Sequence, residues 1–438
     1  MKNSRRRRPL VVATSSIVAM SLLLAACGSD EEATDEAATT ETTEQAATGP
    51  KTTEAPEAEA ASTDTKAAEL RAALTDLLTE HVFLASMATD AALRGDQAAF
   101  EAYAGALNGD DESSNTERIV AAVASAYGDE VGQAFEGLWR AEGHIPAFVE
   151  YTQAVAAGDE AGKKAALDKL TAYAAEFGKT LESVNENLKA ETVEEGVVMH
   201  AETLIAVIDA QAKKDWPAAY SALRKAYSHM ADLASAIAGA TVAKFPDGFD
   251  GEADSPGADL RAGLHSLLRE HVWLAASATD AALGGRQDQF EAAAAALNGP
   301  SESNTADIVA AVRSVYGDEV GQAFEGLWRA EGHIPAFVEY TQAVAAGDEA
   351  GKKAALDKLT AYAAEFGKTL ESVNENLPAD VVEESLVMHA ETLIAVIEAQ
   401  KAGNPADVAG KLREAVDHMS KTADALASAT AKKFPDKF

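Results

Sequence analysis

At 438 residues the chain is long enough for two or three domains, each able to bury its own core. Its 71 acidic and 37 basic residues give a net charge of −34, which disfavours nucleic acid and anionic lipid headgroups as partners. A single cysteine excludes any internal disulfide or thiolate metal site, and the Ala-rich, aromatic-poor composition favours helix over sheet.

The first 26 residues read as a signal peptide. Arg5 to Arg8 form a positive start, and Leu10 to Leu24 form an apolar stretch too short for a stable membrane span. Leu24-Ala25-Ala26-Cys27 resembles a bacterial lipobox. That resemblance implies cleavage before Cys27 and lipidation of its thiol. The chain would then sit on the extracytoplasmic face of the cell membrane, held by Cys27, and losing five basic residues and no acidic ones would make it more acidic still. Residues 27–65 are rich in Thr, Glu and Ala and show no apolar periodicity. Residues 28–65 carry eleven acids against Lys51 alone, the composition of a disordered, self-repelling tether.

From residue 66 the chain repeats itself. Tyr127 to Leu188 recurs letter for letter as Tyr316 to Leu377, and the flanks match with substitutions, as in TEHVFLASMATDAAL against REHVWLAASATDAAL. The copies span 66–248 and 256–438, joined by an acidic Gly/Pro linker at 249–255. Units of this size are whole domains rather than solenoid repeats. In the first copy the spacing predicts helices at 66–94, 96–107, 115–126, 129–157, 159–187, 191–213 and 216–243. The breaks fall at Gly95, Asn108-Gly109, Gly128, Gly158 and Asp215, with a helix start at Asn115-Thr116-Glu117. The fold class is all-α: two tandem antiparallel bundles, each with four to five long helices and a short hairpin inserted after the first.

Eight of the nine histidines form two matching sets: His81, His144, His200 and His229, and then His271, His333, His389 and His418. The ninth, His265, aligns with Thr75 and reads as a surface residue. Each of the four in a copy lies on a different long helix, on that helix's apolar stripe; His81 shares its stripe with Leu74, Leu77, Leu78 and Leu84, and His200 with Val193, Val197, Leu204 and Val207. All four fall near mid-helix, so an up-and-down bundle would place four imidazoles in one layer. Pro146 should kink the 129–157 helix beside His144, and Gly143 would let a neighbour approach. A core-facing imidazole needs a hydrogen bond or a ligand, since an unpaired buried polar group costs about 1–3 kcal/mol.

Imidazole suits copper, zinc, nickel and iron, and paired imidazoles suit haem. A di-iron carboxylate bundle is disfavoured, because no acid precedes any of these histidines by three. Asp232, three residues after His229, becomes Lys421 in the second copy. Tyr151 and Tyr340, seven residues after His144 and His333, stay on the histidine face as candidate hydrogen-bond partners. Met199, Met230, Met388 and Met419 adjoin histidines but point about 100° away, as core fillers would. Haem would be bound non-covalently for want of Cys-x-x-Cys-His, in room left by Ala141, Ala147, Ala222 and Ala226, with Arg140 facing a propionate or solvent.

Glu-His-Val-x-Leu-Ala, Leu-Trp-x(4)-His-Ile-x(2)-Phe-Val-x-Tyr and Tyr-x-His-Met, at 80–85, 138–151 and 227–230, resemble a secreted helical module common in Gram-positive bacteria. That module often occurs beside segments labelled copper amine oxidase N-terminal-like. The resemblance covers nearly all of both copies and implies a secreted helical fold, but no activity. Asp417-His418-Met419 departs from it slightly.

No nucleophile elbow, P-loop, dinucleotide fingerprint, HExxH or EF-hand pattern is present, so the chain does not read as an enzyme. The leading expectation is an envelope lipoprotein that binds copper, zinc or haem through four histidines per bundle, for capture, buffering or electron transfer. Against it stands a non-catalytic structural or interaction module with a buried histidine hydrogen-bond network. A solute-binding lipoprotein is a third reading, weakened by the lack of strand periodicity. The sequence names no protein partner.

Overall fold

The computed structural model describes residues 62–438 apart from 142, 143 and 331. The expected signal peptide, the lipobox-like stretch with Cys27 and nearly all of the expected tether lie outside the described residues. Those described form sixteen α-helices and no strand, as the composition and periodicity led one to expect. In the first module the helices are α1 (Lys66–Arg94), α2 (Gln97–Asn108), α3 (Asn115–Tyr127), α4 (Asp129–Ala141), α5 (His144–Ala157), α6 (Glu160–Val184), α7 (Ala190–Lys213) and α8 (Trp216–Lys244). In the second they are α9 (Pro256–Leu283), α10 (Gln287–Asn298), α11 (Asn304–Tyr316), α12 (Asp318–Ala330), α13 (His333–Ala346), α14 (Glu349–Val373), α15 (Ala379–Ala402) and α16 (Pro405–Lys433).

Local chemistry fixes most of the boundaries. Thr65 caps α1 by accepting from the Ala68 amide, and Ser114 caps α3 by accepting from Glu117. Asp159 and Asp215 do the same for α6 and α8. Gly95 ends α1 in the left-handed conformation that glycine adopts without cost. The connections from α5 to α8 are only two to five residues long, which forces neighbouring helices antiparallel. The long helices α1, α6, α7 and α8 pack in sequence around an apolar core, with α2 to α4 closing one side.

One expected helix divides. The 129–157 segment is two helices, α4 and α5, and His144 opens the second rather than sitting in the middle of one. Pro146 is therefore in the first turn of α5. There its missing N–H would have had no intrahelical partner anyway, so it starts a helix instead of kinking one. In the second module Gly332, immediately before His333, has φ +119°, a conformation that side-chain-bearing residues rarely adopt.

The two modules pack against each other with approximate two-fold symmetry. Helix α1 lies along α9, α2 along α16, and α10 along α8. Phe83 and Trp273, equivalent in the repeat, stack on each other with ring centroids 5.3 Å apart and planes 10° from parallel. Glu80, fully buried on α1, accepts from Arg118 of its own module and from Arg269 and Arg413 of the other, at 2.9, 3.2 and 3.0 Å. Reciprocally, Glu270 accepts from Arg224 of the first module at 2.9 Å and from Asn304.

His265 is not a surface residue. It is buried in this interface, with Nδ1 3.1 Å from Asp76 of the first module and Nε2 2.9 Å from Asp424 of α16. Thr75, its counterpart, carries no such charge, so the repeat alignment held no sign of the contact. Burial alone would lower the His265 pKa, but the hydrogen bonds and charges of Asp424 and Asp76 outweigh it and raise the pKa to about 9.

Two outcomes follow from this interface. Replacing Glu80 with Gln leaves three guanidiniums facing a neutral amide and is expected to destabilise the chain by about 3–5 kcal/mol in chemical denaturation. The His265 contribution is complete below the unfolded histidine pKa of about 6.5 and disappears as pH rises through about 9. Stability should therefore decline by roughly 3 kcal/mol across that window, and the decline should vanish in His265→Gln when melting temperatures are compared from pH 6.5 to 9.5.

Candidate metal centre

At one level of each largely apolar core, three helices each turn an imidazole inward. In the first module these are His81 from the middle of α1, His144 from the first turn of α5 and His200 from the middle of α7. All three are buried, at 2–4 % exposure. One donor nitrogen from each lies within 4.8 Å of the other two. Ring centroids are 5.5 Å apart for His81 and His144, 5.7 Å for His81 and His200, and 5.8 Å for His144 and His200. His271, His333 and His389 repeat the group in the second module, with centroids 5.4, 5.9 and 6.0 Å apart.

The fourth histidine of each set stands outside this group. His229 on α8 is half-buried, and its Nε2 donates to the Gly196 carbonyl of α7 at 2.8 Å; His418 donates likewise to Ser385. A satisfied Nε2–H is a structural tie between α7 and α8. The expected layer of four is thus a group of three with a peripheral fourth, because the fourth ring has found a backbone acceptor on the way in.

Aromatic rings wall the group. Trp139 meets His81 and His144 edge-on at 5.2 and 4.7 Å, and is itself held by its indole N–H donating to Thr116. Tyr173 stacks flat on His144 at 5.0 Å and 6°, and Tyr362 on His333 at 5.1 Å and 9°. Tyr173 and Tyr362 went unmarked in the sequence because α6 and α14 carry no histidine; the Tyr-x(3)-Phe spacing of Tyr173 and Phe177 on one helix face was the available signal. Tyr151 and Tyr340, expected to serve the histidines, donate instead to Asp209 and Glu398 at 3.0 and 2.9 Å. Seven residues along a helix is two turns, which carries the hydroxyl past the imidazole level to a surface carboxylate.

Arg140 faces neither a propionate nor solvent. It binds the Asn108 and Gly109 carbonyls at the end of α2 and the Glu117 carboxylate. Met230 and Met419 fill the core as expected, whereas Met199 and Met388 are about half exposed.

Electrostatics keep the three rings neutral. Burial lowers the pKa of His81 to about 4, against a small opposing pull from the Asn115 side chain, and lowers His200 to about 3 with help from His81 and His229. His144 is held well below the ordinary histidine value by burial and by its two neighbours. His271, His333 and His389 follow the same pattern. Neutral imidazole is the form that binds metal.

Most of the nitrogens of these rings lack a hydrogen-bond partner. Among the described residues neither nitrogen of His200, His333 or His389 has a partner, nor does Nδ1 of His81, His144 or His271. Three imidazoles that each bring one nitrogen to within 4.8 Å of the others match the donor set of a tetrahedral ion with its fourth position open. No family model matches the chain, and neither a curated protein nor a solved structure matches it.

Because its ring is desolvated without compensation, His200→Leu should stabilise the metal-free protein by about 1–3 kcal/mol while removing a donor. Urea denaturation in the presence of a chelator reads the first effect. A loss of stability there would mean that the ring is satisfied by a contact other than metal.

Proposed function

We propose that each module binds one transition-metal ion through three histidines: His81, His144 and His200 in the first, and His271, His333 and His389 in the second. The observation that carries this reading is the approach of three buried imidazoles, most of their nitrogens without a hydrogen-bond partner, to within 4.8 Å, made twice in one chain. An all-nitrogen set with no carboxylate or thiolate suits zinc or copper. A bare ion is favoured over haem. Two axial imidazoles must stand on opposite faces of a macrocycle, and a third ring within 6 Å of both occupies the plane in which that macrocycle would lie.

The alternative of a hydrogen-bonded histidine network is less well supported, since the rings do not bond to one another and several bond to nothing among the described residues. The role of the ion is capture, buffering or electron transfer at the cell envelope. Nothing among the described residues beside the histidines argues for catalysis, and it is not part of the proposal. The lipobox-like Leu24 to Cys27 supports attachment to the extracytoplasmic face of the membrane through lipidated Cys27. Among the described residues no helix is long and apolar enough to cross a membrane.

Elemental analysis of the chain purified without an affinity tag is expected to give two equivalents of one metal. His144→Ala should give one, and His144→Ala with His333→Ala none, whereas His229→Ala with His418→Ala should retain both. Retention of metal by the His144/His333 double variant would overturn the assignment.

A further inference from the structure

The histidine group of the second module is the floor of a cavity of about 1160 Å³. Its lining runs from His271 back to the start of α9, from His389 back to the start of α15, and from His418 on towards the end of α16. All of it therefore lies on one side of the histidine level, and that half of the bundle is hollow. The sequence put apolar residues there at helical spacing, as for a core: Leu260, Leu264 and Leu267 on α9, Val382 and Leu386 on α15, and Leu426 on α16. They remain only half-buried: Leu264, Leu267, Val382, Leu386 and Leu426 pack against the core on one side and, with Leu260, line the cavity on the other. The four charged residues of the lining, Asp259, Glu319, Lys421 and Lys437, are all exposed.

An interior of this size is normally close-packed, and leaving so much apolar surface wet is costly. Pockets for small molecules commonly occupy about 300–1,000 Å³, so this one accepts a large ligand. Its walls offer dispersion contacts along most of their length and ligating nitrogens only at the floor.

We propose that the second module binds a long-chain amphiphile of the fatty-acid class, with the hydrocarbon chain in the hollow half of the bundle and the carboxylate at the histidine floor. The orientation rests on the metal reading given above. A carboxylate among three neutral imidazoles needs a counter-charge, and an ion held by His271, His333 and His389 supplies one at its open fourth position. The chain's place in the cavity does not depend on that ion, since the apolar walls are present either way.

The test uses the full chain with Cys27→Ser, which keeps the protein's own anchor out of the experiment, and oleate as probe in isothermal titration. Saturable binding of oleate is expected, weakened about tenfold or more when laurate replaces it, because each buried methylene is worth about fourfold in affinity. Leu386→Trp and Leu264→Trp, which place an indole in the hollow, should each weaken oleate at least tenfold while keeping the melting temperature and the two metal equivalents. Met388→Trp, on the exposed face of the same α15, should leave the affinity unchanged. Absence of saturable binding, equal affinity for laurate and oleate, or indifference to both cavity substitutions would overturn the proposal without touching the metal assignment, which is read separately by elemental analysis.

The head group is tested by zinc loading. Zinc should tighten oleate binding in the parent chain and have no effect in His333→Ala. Oleate bound equally with and without zinc would refute the inward carboxylate. Failure of zinc itself to bind would overturn the metal reading, and with it the orientation, while leaving the occupant of the cavity to the chain-length series.

Discussion

Three imidazoles pressed together in an apolar interior set the terms for each module. Burial keeps them neutral, mutual repulsion opposes protonation of any one, and the surrounding aromatic rings offer edges and faces rather than hydrogen bonds. Such a group works against folding, because most of its nitrogens lose water without gaining a hydrogen bond in exchange. It persists only if the rest of the bundle holds the three helices in place, and much of the remaining architecture can be understood as that restraint. Trp139 is pinned by Thr116, Thr116 by the Leu107 carbonyl, and Arg140 by the end of α2. The short helices α2 to α4, which contribute no histidine, act as a brace against the histidine layer.

The module interface continues that restraint. Glu80 directly precedes His81, so the two side chains leave α1 about 100° apart. One enters the histidine group and the other enters the interface. Three guanidiniums grip Glu80, two of them from the second module, and this fixes the rotation of α1 about its axis and hence the direction of His81. Arg224 of the first module holds Glu270 beside His271 in the same way. Each module thus supplies an arginine that orients the other's α1-type helix. In energetic terms the interface arginines and the histidine triads are coupled through a single turn of helix.

How far the sequence disclosed this depends on what kind of information each feature carries. Helix content, the repeat and the inward direction of His81 and His200 follow from periodicity and from Gly, Asn and Asp breaks, which are local. The division at Gly143-His144 was harder to see. A proline reads as a kink when the helix is assumed to run through it, and as a start when a new helix opens two residues earlier, at His144 or His333. Register along the bundle was legible for His81 and His200 because mid-helix positions of antiparallel neighbours share a level; His144 reaches that level from the first turn of α5 instead. His229 escaped because a backbone carbonyl on α7 intercepted it, and such acceptors leave no trace in side-chain patterns. Tyr151 was misread for a related reason, since helix face says nothing about how far a long side chain reaches. The stacked Tyr173 and the hollow beyond His271 depend on packing between helices far apart in sequence, and apolar spacing looks the same whether a stripe meets a neighbour or faces a void.

The interface also shows what divergence has done to a duplicated unit. Phe83 against Trp273 and Arg224 against Arg413 keep the two-fold relation, but Thr75 of the first module corresponds to His265 of the second and Thr79 to Arg269. Both changes add positive charge to the second module, and both new side chains are buried against acids: Asp76 and Glu80 across the interface, Asp424 and Asp417 within their own module. An exchange of this kind is useful only where the partner module is always present. Two separate copies of the second module would offer His265 and Arg269 a serine, Ser266, where the first module offers Asp76, and so leave more buried positive charge uncompensated. The substitutions therefore commit the chain to pairing one module of each kind. The strongest charges of the interface lie within a turn of His81 and His271, so that commitment is made at the same level of the fold as the two histidine groups.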